Sequence, residues 1–156
     1  MYSRKWGRKE RMTTIGGLFD QLCILERRMK EYKYLAKDET ELKKQRGWII
    51  IEIARVLNDI VTNKRPATFS KNKLYDQDVT QIESDSLLVQ IQELNNQTFY
   101  LWDLEDKRRD KTQKDEVRLS AADLVAVHNK RRNLAIDAID EIIQKSLDSI
   151  KEIKNE

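Results

Sequence analysis

The sequence predicts an all-α protein: an antiparallel bundle of four main helices, with a long connection between helices 2 and 3 and a long C-terminal helix. Three observations carry this. Breakers are scarce, with 4 Gly and 1 Pro in 156 residues. Glu, Lys, Arg, Leu and Ile dominate instead, and aromatics are only 7%, a mix that suits helix better than sheet. Apolar side chains recur at three- and four-residue steps through four long stretches separated by polar segments. Too few turn residues are present for a sandwich, barrel or propeller, and no glycine-rich loop stands ready for phosphate or a dinucleotide.

Residues 1–13 read as a basic, flexible arm preceding one domain at 14–156. Arg4, Lys5, Arg8, Lys9 and Arg11 are offset there only by Glu10, with Trp6 among them. Thr13 or Thr14 can cap helix 1, which should end near Lys37 and present Ile15, Leu18, Phe19, Leu22, Leu25, Met29 and Tyr32 on one face. Asp38 or Thr40 can cap helix 2, running to about Asn63 with a stripe of Leu42, Ile49, Ile53, Val56, Leu57 and Ile60. Trp48 and Ile50 widen that stripe, so helix 2 is expected to be buried on more than one side.

Pro66 ends the pattern, and the polar stretch 64–80 reads as a crossover that holds Phe69, Leu74 and Tyr75 on the bundle. Helix 3 should run from Ser84 or Ser86 to near Asp110, with Leu87, Leu88, Ile91, Leu94, Thr98, Leu101 and Trp102 inward. After a polar turn at 110–117, Ser120 with Asp123 suggests the start of helix 4, continuing to about Ile153. Its stripe is Leu124, Val127, Arg131, Leu134, Ile139, Ile142, Ile143, Leu147, Ile150 and Ile153. At ~1.5 Å per residue it approaches about 50 Å, so its last turns should fray or pack on another chain.

Charge narrows the function classes. The balance of 30 Lys+Arg against 27 Asp+Glu gives +3, close to neutral, whereas a dedicated duplex-binding protein carries a larger clustered excess. Nucleic-acid binding through Arg4, Lys5, Trp6, Arg8 and Lys9 is therefore a weak expectation, and a solvated arm or one ordered on a neighbouring subunit is the stronger one. Apolar runs are too short for a signal peptide or a membrane span. A lone cysteine excludes an internal disulfide, so a cytoplasmic setting is expected.

One polar constellation stands out. On helix 3, Trp102, Glu105 and Arg109 share an edge; on helix 4, His128, Asn129, Arg132, Asn133, Asp137 and Asp140 lie on or near another. Antiparallel packing would join the two edges into a seam. As a ligand site it would use Arg109 and Arg132 to grip phosphate or carboxylate bidentately, Trp102 to stack, and Asn129 with Asn133 to read an edge. As a structural device it would be a buried ion-pair network fixing helix register, which is the commoner use. A single histidine without a Glu-x-x-His repeat does not make a metal site, and no nucleophile sits in a catalytic setting. Neither metal nor cofactor is implied, and the balance is against an enzyme without deciding the question.

The run Leu101, Trp102, Leu104, Glu105, Asp106 and Arg109, followed by Asn129, Arg132, Asn133, Ile136, Asp137, Ile139 and Asp140, resembles a small all-helical family of unknown function in bacteria and phages. The opening Thr14-Ile15-Gly16-Gly17-Leu18-Phe19-Asp20 is similar to that of related uncharacterised proteins. The resemblance covers part of the chain and implies a helical fold and the seam, but no reaction. The expected function is that of a non-enzymatic accessory protein, self-associating through helical faces as a homo-oligomer or binding a protein partner. The alternative is binding, sequestering or processing a small anionic ligand, a nucleotide or nucleotide sugar, in the seam.

Overall fold

A computed structural model describes residues 13–68 and 84–154. The arm with Arg4, Lys5, Trp6, Arg8 and Lys9, and the crossover's Phe69, Leu74 and Tyr75, lie outside the described residues. The described chain forms α1 (Ile15–Tyr34), α2 (Thr40–Val61), α3 (Leu87–Arg109) and α4 (Asp115–Lys154), with no strand among them. Neighbouring helices alternate up and down. Asp20 near the start of α1 meets Arg132, and Glu26 meets Arg46 of α2, so α1 runs antiparallel to both α4 and α2.

The helix ends follow local chemistry. The Thr14 hydroxyl accepts from the Gly17 amide at 3.1 Å, and the Ser86 hydroxyl accepts from Val89 at the start of α3. The α1 helix stops three residues before the expected Lys37, because Ala36 turns left-handed at φ 52°. Its amide donates to the Lys33 carbonyl and that of Lys37 to Tyr32, the paired reverse bonds of a Schellman ending. Asn63, at φ 58°, ends α2 in the same way. Ahead of α2, Glu39 occupies the cap position, while the Asp38 carboxylate accepts from the Thr40 amide and hydroxyl. Those two bonds hold the Asp38 carboxyl below its ordinary range.

The fourth helix begins at Asp115, earlier than Ser120 and Asp123 suggest. Asp115 and Glu116 place carboxylates in its first turn, where they favour the helix dipole. The α3–α4 turn is closed by Asp110, whose carboxylate accepts from the Thr112 amide and hydroxyl and from Gln113. At ~1.5 Å per residue α4 is about 60 Å long, and Ile150 and Ile153 at its end are exposed.

The core joins Ile15, Leu18 and Cys23 of α1, Val56 and Ile60 of α2, Leu94 of α3, and Ala135 and Ile139 of α4. A smaller cluster of Leu25, Met29 and Leu42 secures the far end of the α1–α2 hairpin. Small residues set the spacing on α4, where Ala121, Ala135 and Ala138 are buried, whereas Leu124 and Val127 of the expected stripe are exposed. Leu88 of α3 also faces outward. The expectation for α2 fails in a more informative way. Its backbone packs on α1 at the edge of the bundle, so Trp48 and Ile50 are not covered.

Candidate functional site

Two features emerge: an open cleft between α1, α3 and α4, and an apolar face on the outside of α2. The cavity has a volume of about 540 Å³ and three walls. From α3 come Thr98, Leu101, Trp102, Glu105, Asp106 and Arg109; from α4, Asn129 and Arg132. Ile24 and Glu31 of α1 supply the third wall, which the two-helix seam did not include. Trp102, Glu105, Arg109, Asn129 and Arg132 are thus brought together at one cavity. His128, Asn133 and Asp137 are not among its walls.

The cations of the cavity are already engaged. The Arg132 guanidinium donates from Nε and Nη2 to the two Asp20 oxygens at 2.5 and 2.6 Å, a bidentate pair that is only partly solvated. Arg109 lies 3.4 Å from Glu105, which also accepts from Arg108 at 2.7 Å. Arg27 sits over the Phe99 and Trp102 rings and reaches Asp103. The lining therefore sets two cations, both paired, against the three carboxylates Glu31, Glu105 and Asp106.

His128 belongs to a separate polar contact. Its Nδ1 lies 2.5 Å from Gln97 Oε1, which requires the proton on Nδ1, and its ring packs at 5.3 Å from Tyr100. Desolvation, with Arg131 nearby, pushes the imidazole pKa below its ordinary value. Asn133 is exposed, and Asp137 is half-buried with partners of its own.

The residues of the opening motif meet α4. The Gly16 amide donates to a buried Asp140 oxygen at 2.7 Å, a carboxylate placed at the N-terminus of α1. A Cβ on Gly16 would stand 2.3 Å from the Ile136 carbonyl oxygen, so only glycine lets the two backbones come this close. Thr14 caps, Gly16 clears α4, and Asp20 captures Arg132. The Gly16 backbone against Ile136 and Asp140, and the Asp20 side chain against Arg132, hold α1 on α4.

No protein-family model, curated protein or solved structure matches the chain. Among the described residues, no three His, Cys, Asp or Glu side chains gather as a metal-ligand set, and no helix is long and apolar enough to cross a membrane.

The second feature lies on α2. Trp48 is 74% exposed, Ile51 67%, Val61 61% and Ile50 52%, with Leu57 partly open beside them. The signal was present as the unbroken run Trp48 to Ile51, whose four side chains point around most of the helix. Only Ile49 of that run packs on the core. Sequence alone does not distinguish a helix buried on two sides from one that offers its second side to a partner.

Proposed function

We propose that this chain is a non-enzymatic helical interaction protein that associates with copies of itself through apolar helix faces. The observation supporting the reading is the outer face of α2, where Trp48, Ile50, Ile51 and Val61 are each more than half exposed. A charged, lysine- and glutamate-rich chain gains nothing in solution from holding isoleucine and tryptophan in water. Contiguous exposed apolar surface of this kind marks interaction sites. The exposed Ile150 and Ile153 of α4 are a further, smaller surface of the same type. A cytoplasmic setting fits a chain whose single cysteine is buried and unpaired.

Sedimentation velocity over a wide concentration range tests the reading. The expected result is a mass rising above the 18.5 kDa of one chain as concentration increases. The Ile51→Glu variant should stay monomeric with unchanged circular dichroism, since that side chain is exposed and takes no part in the core. A wild-type chain that remains at monomer mass throughout overturns the reading.

A second reading, a nucleotide-like ligand in the cavity, is supported by a volume in the range of ligand sites and by the Trp102 wall. It is opposed by the paired state of Arg109 and Arg132 and by the excess of carboxylates. Thermal melting with a nucleotide or nucleotide sugar decides it: an unchanged Tm removes this reading.

A further inference from the structure

We propose that the end of the bundle where α2 and α4 finish is a binding surface for single-stranded nucleic acid, made of a basic cleft and the arm that leaves beside it. The cleft, of about 340 Å³, lies between the end of α2 and the C-terminal third of α4. Its walls carry Lys64, Arg65 and Lys151, with no carboxylate among them. The cleft between α1, α3 and α4 has the opposite balance, three carboxylates against two cations. The field of the molecule therefore draws phosphate to the first and away from the second.

Local structure builds the basic cleft. Asn63, at φ 58°, ends α2, and the chain then runs through Lys64, Arg65 and Pro66. The Ala67 amide donates to Gln144 Oε1 at 3.0 Å, which fixes this segment on α4 and sets Lys64 and Arg65 in one cleft with Lys151. The Gln144 side-chain amide in turn donates to Asp148 at 2.9 Å, engaging the carboxylate of the next turn of α4. Neither Lys64 nor Lys151 forms an ion pair among the described residues, so their charges stand uncompensated. An ammonium on a flexible stem is a compact point charge, which suits a phosphate backbone without demanding one geometry.

The arm starts at the same place. The Arg65 guanidinium donates to the Thr13 carbonyl, so the root of the arm is held against the cleft. Residues 1–12 contain five cations, Arg4, Lys5, Arg8, Lys9 and Arg11, against Glu10 alone. Together with the three of the cleft, this excess is larger than the +3 of the entire chain, and the rest of the molecule is net negative. A near-neutral total thus conceals positive charge gathered at one end, the electrostatic footprint of a nucleic-acid surface. Cations alone suit any polyanion. Tyr2 and Trp6 stand among those of the arm, and rings interleaved with cations add the stacking that unpaired bases offer.

Counterion release sets the expected signature. Each cation that neutralises a phosphate of a single strand adds about −0.7 to the slope of log affinity against log salt. Engaging roughly six of these cations gives a slope near −4, a loss of a few hundredfold between about 50 and 200 mM salt.

Fluorescence anisotropy of the full chain with a short labelled oligothymidine tests the proposal. The wild type should bind at low salt with that slope. Lys64→Gln/Lys151→Gln, which changes two exposed side chains, should flatten the slope by about 1.4 and weaken binding about tenfold. Lys111→Gln/Lys114→Gln removes the same charge from the α3–α4 turn at the opposite end and should leave the slope unchanged. Trp6→Ala should also weaken binding about tenfold, and circular dichroism verifies that each variant is folded. No binding at low salt, or equal losses from the two lysine pairs, would overturn the proposal. Binding of poly-glutamate or of a DNA duplex as tightly as the oligothymidine, or a Trp6→Ala protein that binds like the wild type, would overturn the assignment to single strands.

Discussion

Replacing Gly16 by alanine gives the sharpest test of how α1 is held on α4. The new Cβ would lie 2.3 Å from the Ile136 carbonyl oxygen and 3.1 Å from Asp140 Oδ1, against the 3.4 Å at which ordinary contact begins. The first of these is backbone and cannot rotate away, so the helices must part by about 1 Å or shift along each other. Overpacking of this kind costs about 1–3 kcal/mol. The same movement stretches the buried 2.7 Å bond from the Gly16 amide to Asp140, and losing a charge-assisted hydrogen bond adds about 1.5–3 kcal/mol. Against this, alanine's helix propensity returns at most ~1 kcal/mol. The net expectation is a loss of about 2–4 kcal/mol, a large share of a typical ~5–15 kcal/mol domain stability. Urea unfolding followed by far-UV circular dichroism measures it directly. Two other glycines calibrate the result in dilute protein. At Gly17 a Cβ meets only the Thr14 hydroxyl at 3.4 Å, and at Gly47 it meets nothing. Gly17→Ala should stay within ~0.5 kcal/mol of wild type, and Gly47→Ala should gain about 0.5–1 kcal/mol. A Gly16→Ala protein as stable as Gly17→Ala would refute the close α1–α4 approach.

Removing either member of the Asp20–Arg132 pair strands a partly buried charge, so Arg132→Ala and Asp20→Ala should each cost about 1–3 kcal/mol. The double variant should lose less than the sum of the singles, and strict additivity in the cycle would show that the pair is not coupled. Ala36→Gly relieves a left-handed residue at the end of α1 and should stabilise by about 1 kcal/mol, measured as a rise in the urea midpoint. His128 provides the pH dependence. Its folded pKa lies below the ordinary value of ~6.5, so the unfolded chain takes up the proton first as pH falls. Stability should be complete above that pH and decline from there toward the lower folded pKa. His128→Gln should flatten the urea-midpoint profile between pH 7.5 and 5, and an unchanged slope would assign the effect to another group.

Much of the fold was legible because its signals are local. Thr14, Ser86, Pro66 and the Asp110 turn mark boundaries within a few residues of themselves, and the three- and four-residue apolar steps identify the helices between. The errors also have physical causes. Val127 and Leu124 have the right spacing for a core stripe, yet both are exposed, while Ala121, Ala135 and Ala138 of α4 are buried. For the cavity, helical spacing grouped Trp102, Glu105 and Arg109 correctly on one edge, because residues three and four apart share a face. It did not identify Asp20 as the partner of Arg132, a residue 112 positions away on another helix.

By itself, the sequence determined four amphipathic helices, their approximate ends, and which residue types each face could present, since backbone propensity and periodicity act over a few residues. The tertiary structure alone decided how those faces were spent. It gave Arg132 to Asp20, brought Gly16 under the Ile136 carbonyl, and added α1 as a wall of the α3–α4 cavity. It also left one apolar side of α2 facing outward. These outcomes depend on the relative placement of helices far apart in the chain, where packing geometry rather than local preference selects which surface is covered.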